Sequence, residues 1–286
     1  MNTNLAIETS SLTKFYGDFQ AVDSVNLAVE KGCLYGFLGP NGAGKSTSIK
    51  MLTGILKPTS GSVQLLGGNP WNQSEAIRIK QQTGVVPEDL ALFDNLTARE
   101  YLTFVGQMHS LDKSVIVKRG EELLALLKLE EVEKKLTVEY SHGMKKKLAL
   151  AAALLPNPKL LFLDEPFEGV DVVTAKVIRD LLLNYVAKGS TVFVTTHVME
   201  IVERICTHVG IIANGKLVEQ CSLAELNSRN SLENRFIELV GSDADEKPNL
   251  DWLDGGNSIE LKGTESVSET EAVSYTHLTL PTTPYV

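Results

Sequence analysis

Short apolar runs alternate with stretches of helical spacing along most of the chain. The run Leu34–Leu38 leads directly into a glycine-rich stretch, and helical spacing then continues from Lys45 to Leu56. The other runs of strand type are Val25–Val29, Val63–Leu66, Gly84–Val86, Leu160–Leu163, Thr191–Thr195 and Val209–Ile212. Alternation of this kind predicts an α/β fold whose sheet has parallel strands at its centre.

The longest helical stretch begins at Thr97 and Glu100, which are spaced as a capping box. Its apolar spacing predicts helices over Ala98–Met108, over Glu121–Leu129 and from a cap at Ser141 to Leu155. We therefore expect a helical subdomain, at about residues 90–156, inserted into the sheet domain.

Composition and charge change past Gly241. Residues 242–286 hold nine acidic and two basic residues, which account for most of the net charge of −9. We predict one domain over residues 1–241 and an acidic flexible tail over residues 242–272. Residues 273–286 have no helical period and resemble translated adaptor or vector sequence, so we interpret them as a non-native or disordered terminus.

Composition disfavours several classes of protein. A content of 43% apolar residues allows a core, whereas 27 Lys and Arg against 36 Asp and Glu argue against a nucleic-acid partner. The three cysteines, Cys33, Cys206 and Cys221, lie far apart without metal-ligand spacing. No apolar run approaches the ~18 to 20 residues that span a bilayer, and the start of the chain lacks the design of a secretory signal. We expect a cytoplasmic chain that reaches a membrane through a partner.

The stretch after Leu38 carries the most specific motif. Residues 39–47 read Gly-Pro-Asn-Gly-Ala-Gly-Lys-Ser-Thr and match G-x-x-x-x-G-K-[ST] at every fixed position. The glycines allow backbone N–H groups to turn inward around a phosphate, and the following helix adds its positive dipole end. We expect Lys45 to reach the β- and γ-phosphates and the Ser46 hydroxyl to ligate Mg²⁺. The candidate nucleotide-binding residues here are Gly39, Pro40, Asn41, Gly42, Ala43, Gly44, Lys45, Ser46 and Thr47.

The run Leu160–Leu163 ends in two carboxylates, Asp164 and Glu165. A buried strand delivers them to the C-terminal edge of the sheet, where nucleotides bind in such folds. Asp164 is the candidate for the Mg²⁺ shell, and Glu165, one residue farther on, is the candidate general base. Taken alone, such a run is often a strand followed by a solvated turn; the phosphate loop favours the functional interpretation.

With these motifs, the chain from about Leu5 to Gly241 resembles the ATP-binding subunit of an ABC transporter. The resemblance implies a P-loop NTPase core with a mainly parallel sheet, an N-terminal antiparallel β part and an inserted helical subdomain. By position it implies that Tyr16 stacks on adenine and that Asp171 belongs to the D-loop between paired subunits. It also implies that His197 contacts the γ-phosphate and holds the attacking water together with Glu165.

The signature and the Q-loop depart from the family pattern. Residues 140–144 read Tyr-Ser-His-Gly-Met where the family has L-S-G-G-Q, so only Ser141 and Gly143 match; these are implied to complete a partner's ATP site. Glu88 stands where the family has glutamine, and as a hard oxygen donor it joins Ser46 and Asp164 as a candidate metal ligand. These forms resemble exporter subunits. We interpret the following lysine triplet, residues 145–147, as a solvated helix face.

The resemblance implies a subunit that binds ATP and Mg²⁺, pairs with a second nucleotide-binding subunit, and hydrolyses ATP to power export through separate membrane permease subunits. It places the chain on the cytoplasmic side, peripheral on the inner face of the cell membrane. The predicted permease contact is the segment from Glu88 to Tyr101. This segment links the sheet core to the helical block, which is the helical subdomain at about residues 90–156. The alternatives are a soluble ABC-type ATPase, acting on ribosomes or in DNA repair, and a non-catalytic binding module.

Overall fold

The computed structural model describes residues 4–241. The chain divides into two units, Met1–Asp245 and Glu246–Val286, and the described residues belong to the first. The predicted acidic tail over residues 242–272 and the terminus over residues 273–286 lie outside the described residues.

An antiparallel sheet forms the N-terminal part. Its strands are β1 (Leu5–Tyr16), β2 (Phe19–Val25), β3 (Ala28–Glu30) and β5 (Ser60–Leu65), and β1 pairs with each of the other three. The prediction of one strand over Val25–Val29 is wrong, because the strand is interrupted at Asn26 and Leu27, between β2 and β3. Ser24 has a φ of 51°, and at this interruption the Asn26 side chain donates to the Ser24 carbonyl and accepts from the Ser11 N–H. β2, β3 and β5 all pair antiparallel with β1, and this sheet supplies the expected antiparallel part of the fold.

A second sheet carries the site. Its strands are β4 (Leu34–Leu38), β6 (Thr83–Val86), β7 (Leu160–Asp164), β8 (Thr191–Thr196), β9 (His208–Ala213) and β10 (Lys216–Ser222). They lie in the order β10-β9-β4-β8-β7-β6, parallel except for β10, which pairs antiparallel with β9. Every residue of β4, β7 and β8 is buried, as expected of strands covered on both faces. The prediction of parallel strands at the centre of an α/β sheet is confirmed.

The side chains on the two faces of this sheet belong to two separate hydrophobic cores. Alternate side chains of one strand point to opposite faces, so Leu161 and Leu163 pack with the helical block, whereas Leu160 and Phe162 pack with the antiparallel sheet. Each such buried side chain contributes about 1.5–3 kcal/mol relative to exposure. The packing on both faces holds the C-terminal ends of the strands in place.

The helices are α1 (Lys45–Leu52), α2 (Gln73–Gln81), α3 (Ala98–Met108), α4 (Lys113–Leu126), α5 (His142–Leu154), α6 (Val172–Ala187), α7 (Met199–Ile205), α8 (Leu223–Arg229) and α9 (Leu232–Val240). The predicted bounds of α3 and its capping box are confirmed. α1 ends before the predicted Leu56, since Gly54 has a φ of 76°. α4 begins earlier than predicted, and it also ends earlier, because Lys128 has a φ of 56° and stops the helix. No helix within residues 4–241 is long and apolar enough to cross a membrane.

Candidate functional site

The phosphate-loop sequence forms the turn between β4 and α1. Gly44, which precedes α1, has a φ of 102°, and a Cβ there would lie 2.6 Å from the Ala21 carbonyl oxygen. A Cβ at Gly39 would lie 2.4 Å from the Ile212 carbonyl oxygen. Carbonyl oxygens of β2 and β9 therefore lie too close to the loop for a side chain, so only glycine fits at these two positions. The first turn of α1 faces the loop with its free N–H groups.

Lys45 closes this loop from within. Its side chain is only 6% exposed, and Nζ donates hydrogen bonds to the carbonyls of Gly39 at 2.8 Å and Pro40 at 3.2 Å. The same ammonium lies 3.4 Å from Glu165 Oε1. A buried cation at the N-terminus of a helix is suited to hold an anionic phosphate.

Three oxygen-bearing side chains converge beside Lys45. Ser46 Oγ lies 3.2 Å from Glu88 Oε2 and 3.4 Å from Asp164 Oδ1. Thr195 on β8 donates a further hydrogen bond to Asp164 Oδ1. One hydroxyl and two carboxylates form a set of hard oxygen donors, which is the donor chemistry that Mg²⁺ prefers. The set therefore fits a magnesium ion.

Asp164 is the buried member of this set. Burial raises the pKa of Asp164, hydrogen bonds from Thr195 and Ser46 lower it, and the nearby charges of Glu88 and Glu165 raise it again. The net shift is upward. The ionised carboxylate is thus costly in the free protein, and a cation bound to it would remove that cost.

Glu165 lies on the other side of Lys45. Its Oε1 is 3.4 Å from Lys45 Nζ and 3.2 Å from His197 Nδ1, where β8 ends. Neither contact has hydrogen-bond geometry, so among residues 4–241 this buried oxygen has no hydrogen-bond partner. The backbone of Glu165 is left-handed, with a φ of 46°, and its N–H donates to Thr195 Oγ1 at 3.2 Å. This conformation turns the Glu165 carboxylate toward Lys45 and His197, whereas the Asp164 carboxylate faces Ser46.

The remaining predicted residues lie outside this cluster of contacts. Tyr16 is the last residue of β1 and is half exposed, and the centroid of its ring lies 5.4 Å from Lys14 Nζ. Ser141 caps α5 by accepting from the Met144 N–H, and the space around Gly143 is open. Asp171 caps α6 through Thr174, which lowers the pKa of Asp171. Their nucleotide roles stay predictions.

One residue of the site escaped the sequence analysis. The lysine triplet was interpreted as a solvated helix face, and this is wrong for Lys146, which is 5% exposed. Its Nζ donates to the carbonyl oxygens of Glu165 and Glu168. The signal in the sequence is its position in α5, since Leu148, Ala149 and Leu150 follow directly and are all buried.

A glycine loop between a buried strand and a helix, with an enclosed lysine and two carboxylates at the same sheet edge, defines a P-loop ATPase fold. The family described as "ABC transporter" matches residues 22–168. The chain belongs to this family, as an ATP-binding subunit, and the resemblance drawn from the motifs is confirmed.

Known relatives agree with this assignment. The chain is 39% identical over 239 residues to the bacitracin transport ATP-binding protein BcrA of Bacillus licheniformis, covering 83% of this chain and 75% of that protein. It is 32% identical over 255 residues to the daunorubicin/doxorubicin resistance ATP-binding protein DrrA of Streptomyces peucetius, covering 88% and 76%. A dimeric ATP-binding cassette, MJ0796, bound to ADP and Pi superposes with a TM-score of 0.70 at 27% identity, covering 76% of this chain and 98% of that one. The comparisons do not favour the alternatives of a ribosome-associated or DNA-repair ATPase.

Proposed function

We propose that the chain hydrolyses ATP at the edge formed by β4, β7 and β8. The single observation that carries this proposal is the buried contact of Glu165 Oε1 with both Lys45 and His197. Loop amides and Lys45 bind the phosphates of ATP, and the Glu165 carboxylate accepts the proton of the attacking water. His197, 37% exposed at its side chain, orients that water and the γ-phosphate.

Ser46, Glu88 and Asp164 would hold the Mg²⁺ that accompanies ATP, since their oxygens already lie within 3.4 Å of Ser46 Oγ. Bound Mg²⁺ supplies neutralisation of the charge that develops on the phosphate oxygens. Glu88, where the family has glutamine, adds one negative charge to this donor set. We therefore infer a site with stronger electrostatic attraction for a divalent cation than an amide would give.

The energy of hydrolysis would drive export through separate membrane permease subunits. The relatives named for bacitracin transport and for daunorubicin/doxorubicin resistance support this direction. The contact would be the segment from Glu88 to Tyr101, which lies along a cleft of about 410 Å³ between the sheet and the helical block. Within this segment Phe93 is half exposed and packs edge-to-face against the half-exposed Phe104 of α3. Such a binding mode would place the chain on the inner face of the cell membrane.

A second nucleotide-binding subunit would complete the ATP site. The cap at Ser141 and the open space at Gly143 leave the start of α5 accessible to another chain. A helix N-terminus with a hydroxyl and a small residue can present N–H donors to a γ-phosphate. The dimeric form of the similar cassette supports this pairing.

Two substitutions test the hydrolytic site. We expect Lys45→Ala to abolish most ATP binding, because the phosphates lose their enclosed cation. We expect Glu165→Gln to bind ATP normally but to hydrolyse it on the order of 10²-fold more slowly, because a positioned base is lost. Fluorescent nucleotide titration and phosphate release measure the two effects.

The matched controls lie on nearby helices. Lys50→Ala removes an exposed lysine of α1, and Glu203→Gln neutralises an exposed glutamate of α7; both should behave as wild type. Unchanged nucleotide affinity in Lys45→Ala would refute the phosphate-loop assignment. Wild-type turnover in Glu165→Gln would show that another group is the base.

Permease binding is tested by co-purification from detergent extracts. We expect the wild-type chain to retain a polytopic membrane protein, and Phe93→Ser to lose it while keeping ATPase activity, because the proposed contact segment loses exposed apolar area. Val218→Ser, at a comparably exposed valine of β10, is the control. Recovery of the wild-type chain without any membrane protein would favour a soluble ATPase instead.

A further inference from the structure

We propose that Lys146 is a positioning residue for ATP hydrolysis: through its ammonium, helix α5 holds the turn that carries the Glu165 carboxylate. The proposal rests on the proposed function, which makes Glu165 the base. It assigns a role to a side chain on the helix that begins with Ser141 and Gly143, and so connects the start of that helix to the reacting end of β7.

The first argument is the burial of the charge. Lys146 is 5% exposed, whereas the neighbouring Lys145 and Lys147 are partly exposed. Burial lowers the pKa of Lys146, and the charges of Glu168, Glu165 and Glu88 act in the opposite direction. An ammonium removed from water is costly unless polar partners replace its hydration. The cost of burying the Lys146 ammonium must therefore be offset by hydrogen-bond acceptors around it.

The second argument is the identity of those acceptors. Lys146 Nζ donates to the Glu165 carbonyl at 2.9 Å and to the Glu168 carbonyl at 2.5 Å. Both bonds go to backbone oxygens, so they hold the path of the chain after β7. The side chain of Glu165 remains free to face Lys45 and His197.

The third argument is the strained backbone at Glu165. A φ of 46° is rare for a residue other than glycine and persists only where the surroundings hold it. Two contacts do so from opposite sides: Thr195 on β8 accepts from the Glu165 N–H, and Lys146 on α5 donates to the Glu165 carbonyl. If the second contact is lost, this backbone can relax toward ordinary φ values and carry the carboxylate away from the γ-phosphate.

The experiment compares Lys146→Met, which keeps the length of the side chain but has no donor, with Lys146→Arg, which keeps donors. Lys118→Met, at an exposed lysine of α4, is the control. Single-turnover hydrolysis and ATP affinity are measured separately. We expect Lys146→Met to lower the hydrolysis rate by about 10- to 100-fold, as for a misplaced catalytic group, with ATP affinity within about threefold. Lys146→Arg should recover most of the loss.

A double-mutant cycle separates positioning from a general structural role. If Lys146 acts through the Glu165 carboxylate, Lys146→Met should slow the residual hydrolysis of Glu165→Gln by much less than it slows the wild type. An equal slowing in both backgrounds would overturn the proposal. So would hydrolysis by Lys146→Met within about twofold of the wild type, or a parallel loss of rate and affinity.

Two further outcomes are distinguishable. If Lys146→Met does not fold, Lys146→Gln, which keeps an amide donor, enters the same cycle, and the same criteria decide. If the wild-type chain binds ATP but does not hydrolyse it, the proposed function fails. The positioning role then falls with it, and no variant of Lys146 is needed to show this.

Discussion

At the scale of single residues, the site depends on how two adjacent carboxylates are separated. Asp164 ends β7 and faces Ser46 and Thr195, while Glu165 turns through a φ of 46° toward Lys45. Successive side chains leaving a strand already point in different directions, and the left-handed backbone sets the second direction. The Asp164 carboxylate therefore lies among oxygen donors, and the Glu165 carboxylate lies beside the Lys45 ammonium.

The raised pKa of Asp164 has a consequence for stability. A carboxyl whose pKa is higher in the folded than in the unfolded chain stabilises the fold while it is protonated, and this contribution is lost as the pH rises through the folded pKa. Near pH 7.5 the ionised Asp164 thus destabilises the protein. We expect Asp164→Asn to raise the melting temperature in nucleotide- and metal-free buffer, by about 2–4 °C for each kcal/mol removed.

Thermal unfolding across pH checks this expectation. The difference between Asp164→Asn and wild type should shrink as the pH falls toward the pKa of Asp164, where the wild-type side chain also becomes neutral. Added Mg-ATP should stabilise the wild type only, since the variant lacks the carboxylate donor. A variant less stable than wild type at pH 7.5 in metal-free buffer would contradict the sign.

At the scale of elements, local capping determines where the helical block begins. Thr97 Oγ1 accepts from the Glu100 N–H at 3.3 Å, and the Glu100 carboxylate accepts from the Thr97 N–H at 2.8 Å. This reciprocal pair satisfies two N–H groups at the start of α3. The segment between Glu88 and Tyr101 thereby ends in a helix with a well-defined first turn.

Removing the cap should cost stability without affecting hydrolysis. We expect Thr97→Ala to lose about 1 kcal/mol, the usual cost of an N-cap, and to lower the melting temperature by about 2–4 °C. Glu100→Gln is the matched control, because an amide oxygen can still accept from the Thr97 N–H. Differential scanning calorimetry with an ATPase assay decides; an unchanged melting temperature would show that α3 does not depend on this cap.

At the scale of the whole molecule, the phosphate loop and the start of α5 are proposed to meet across two subunits. A Cβ at Gly143 would meet no heavy atom within 4 Å, so Gly143→Asp should fold normally within one chain. Its carboxylate would instead repel the γ-phosphate bound by a partner. The effect of this variant is therefore a test of pairing rather than of folding.

Mixing two defective variants makes the test specific. Lys45→Ala disables its own loop, and Gly143→Asp disables the site of the partner, so each homodimer has two damaged sites. A heterodimer has one site with both lesions and one with neither. In a Glu165→Gln background we expect the mixture to regain one bound ATP per dimer, measured by cross-linking and nucleotide counting.

This mixture needs a chain that pairs with itself, so cross-linking of the Glu165→Gln parent with ATP is the first control. If the parent forms dimers and the mixture binds no more ATP than the separate variants, Ser141 and Gly143 do not complete a partner's site.

The sequence by itself determined the features that depend on neighbours along the chain. Glycine spacing, the capping box at Thr97 and the unbroken apolar runs of the central strands are local, and they predicted α3, the P-loop and the parallel sheet correctly. β1 was not predicted, because the register shifts near Lys14 interrupt the alternation expected of a strand. Local periodicity is informative only where the backbone is regular.

Only the tertiary structure decided which distant groups share an environment. Glu165 meets His197 because β7 and β8 are adjacent in the sheet, and Lys146 is buried because α5 packs under the turn after β7. A lysine in a charged triplet looks solvent-exposed in sequence, since burial is set by what packs against it from elsewhere in the chain. The pKa of Asp164 likewise depends on burial and on contacts with Thr195 and Ser46, which are remote in sequence.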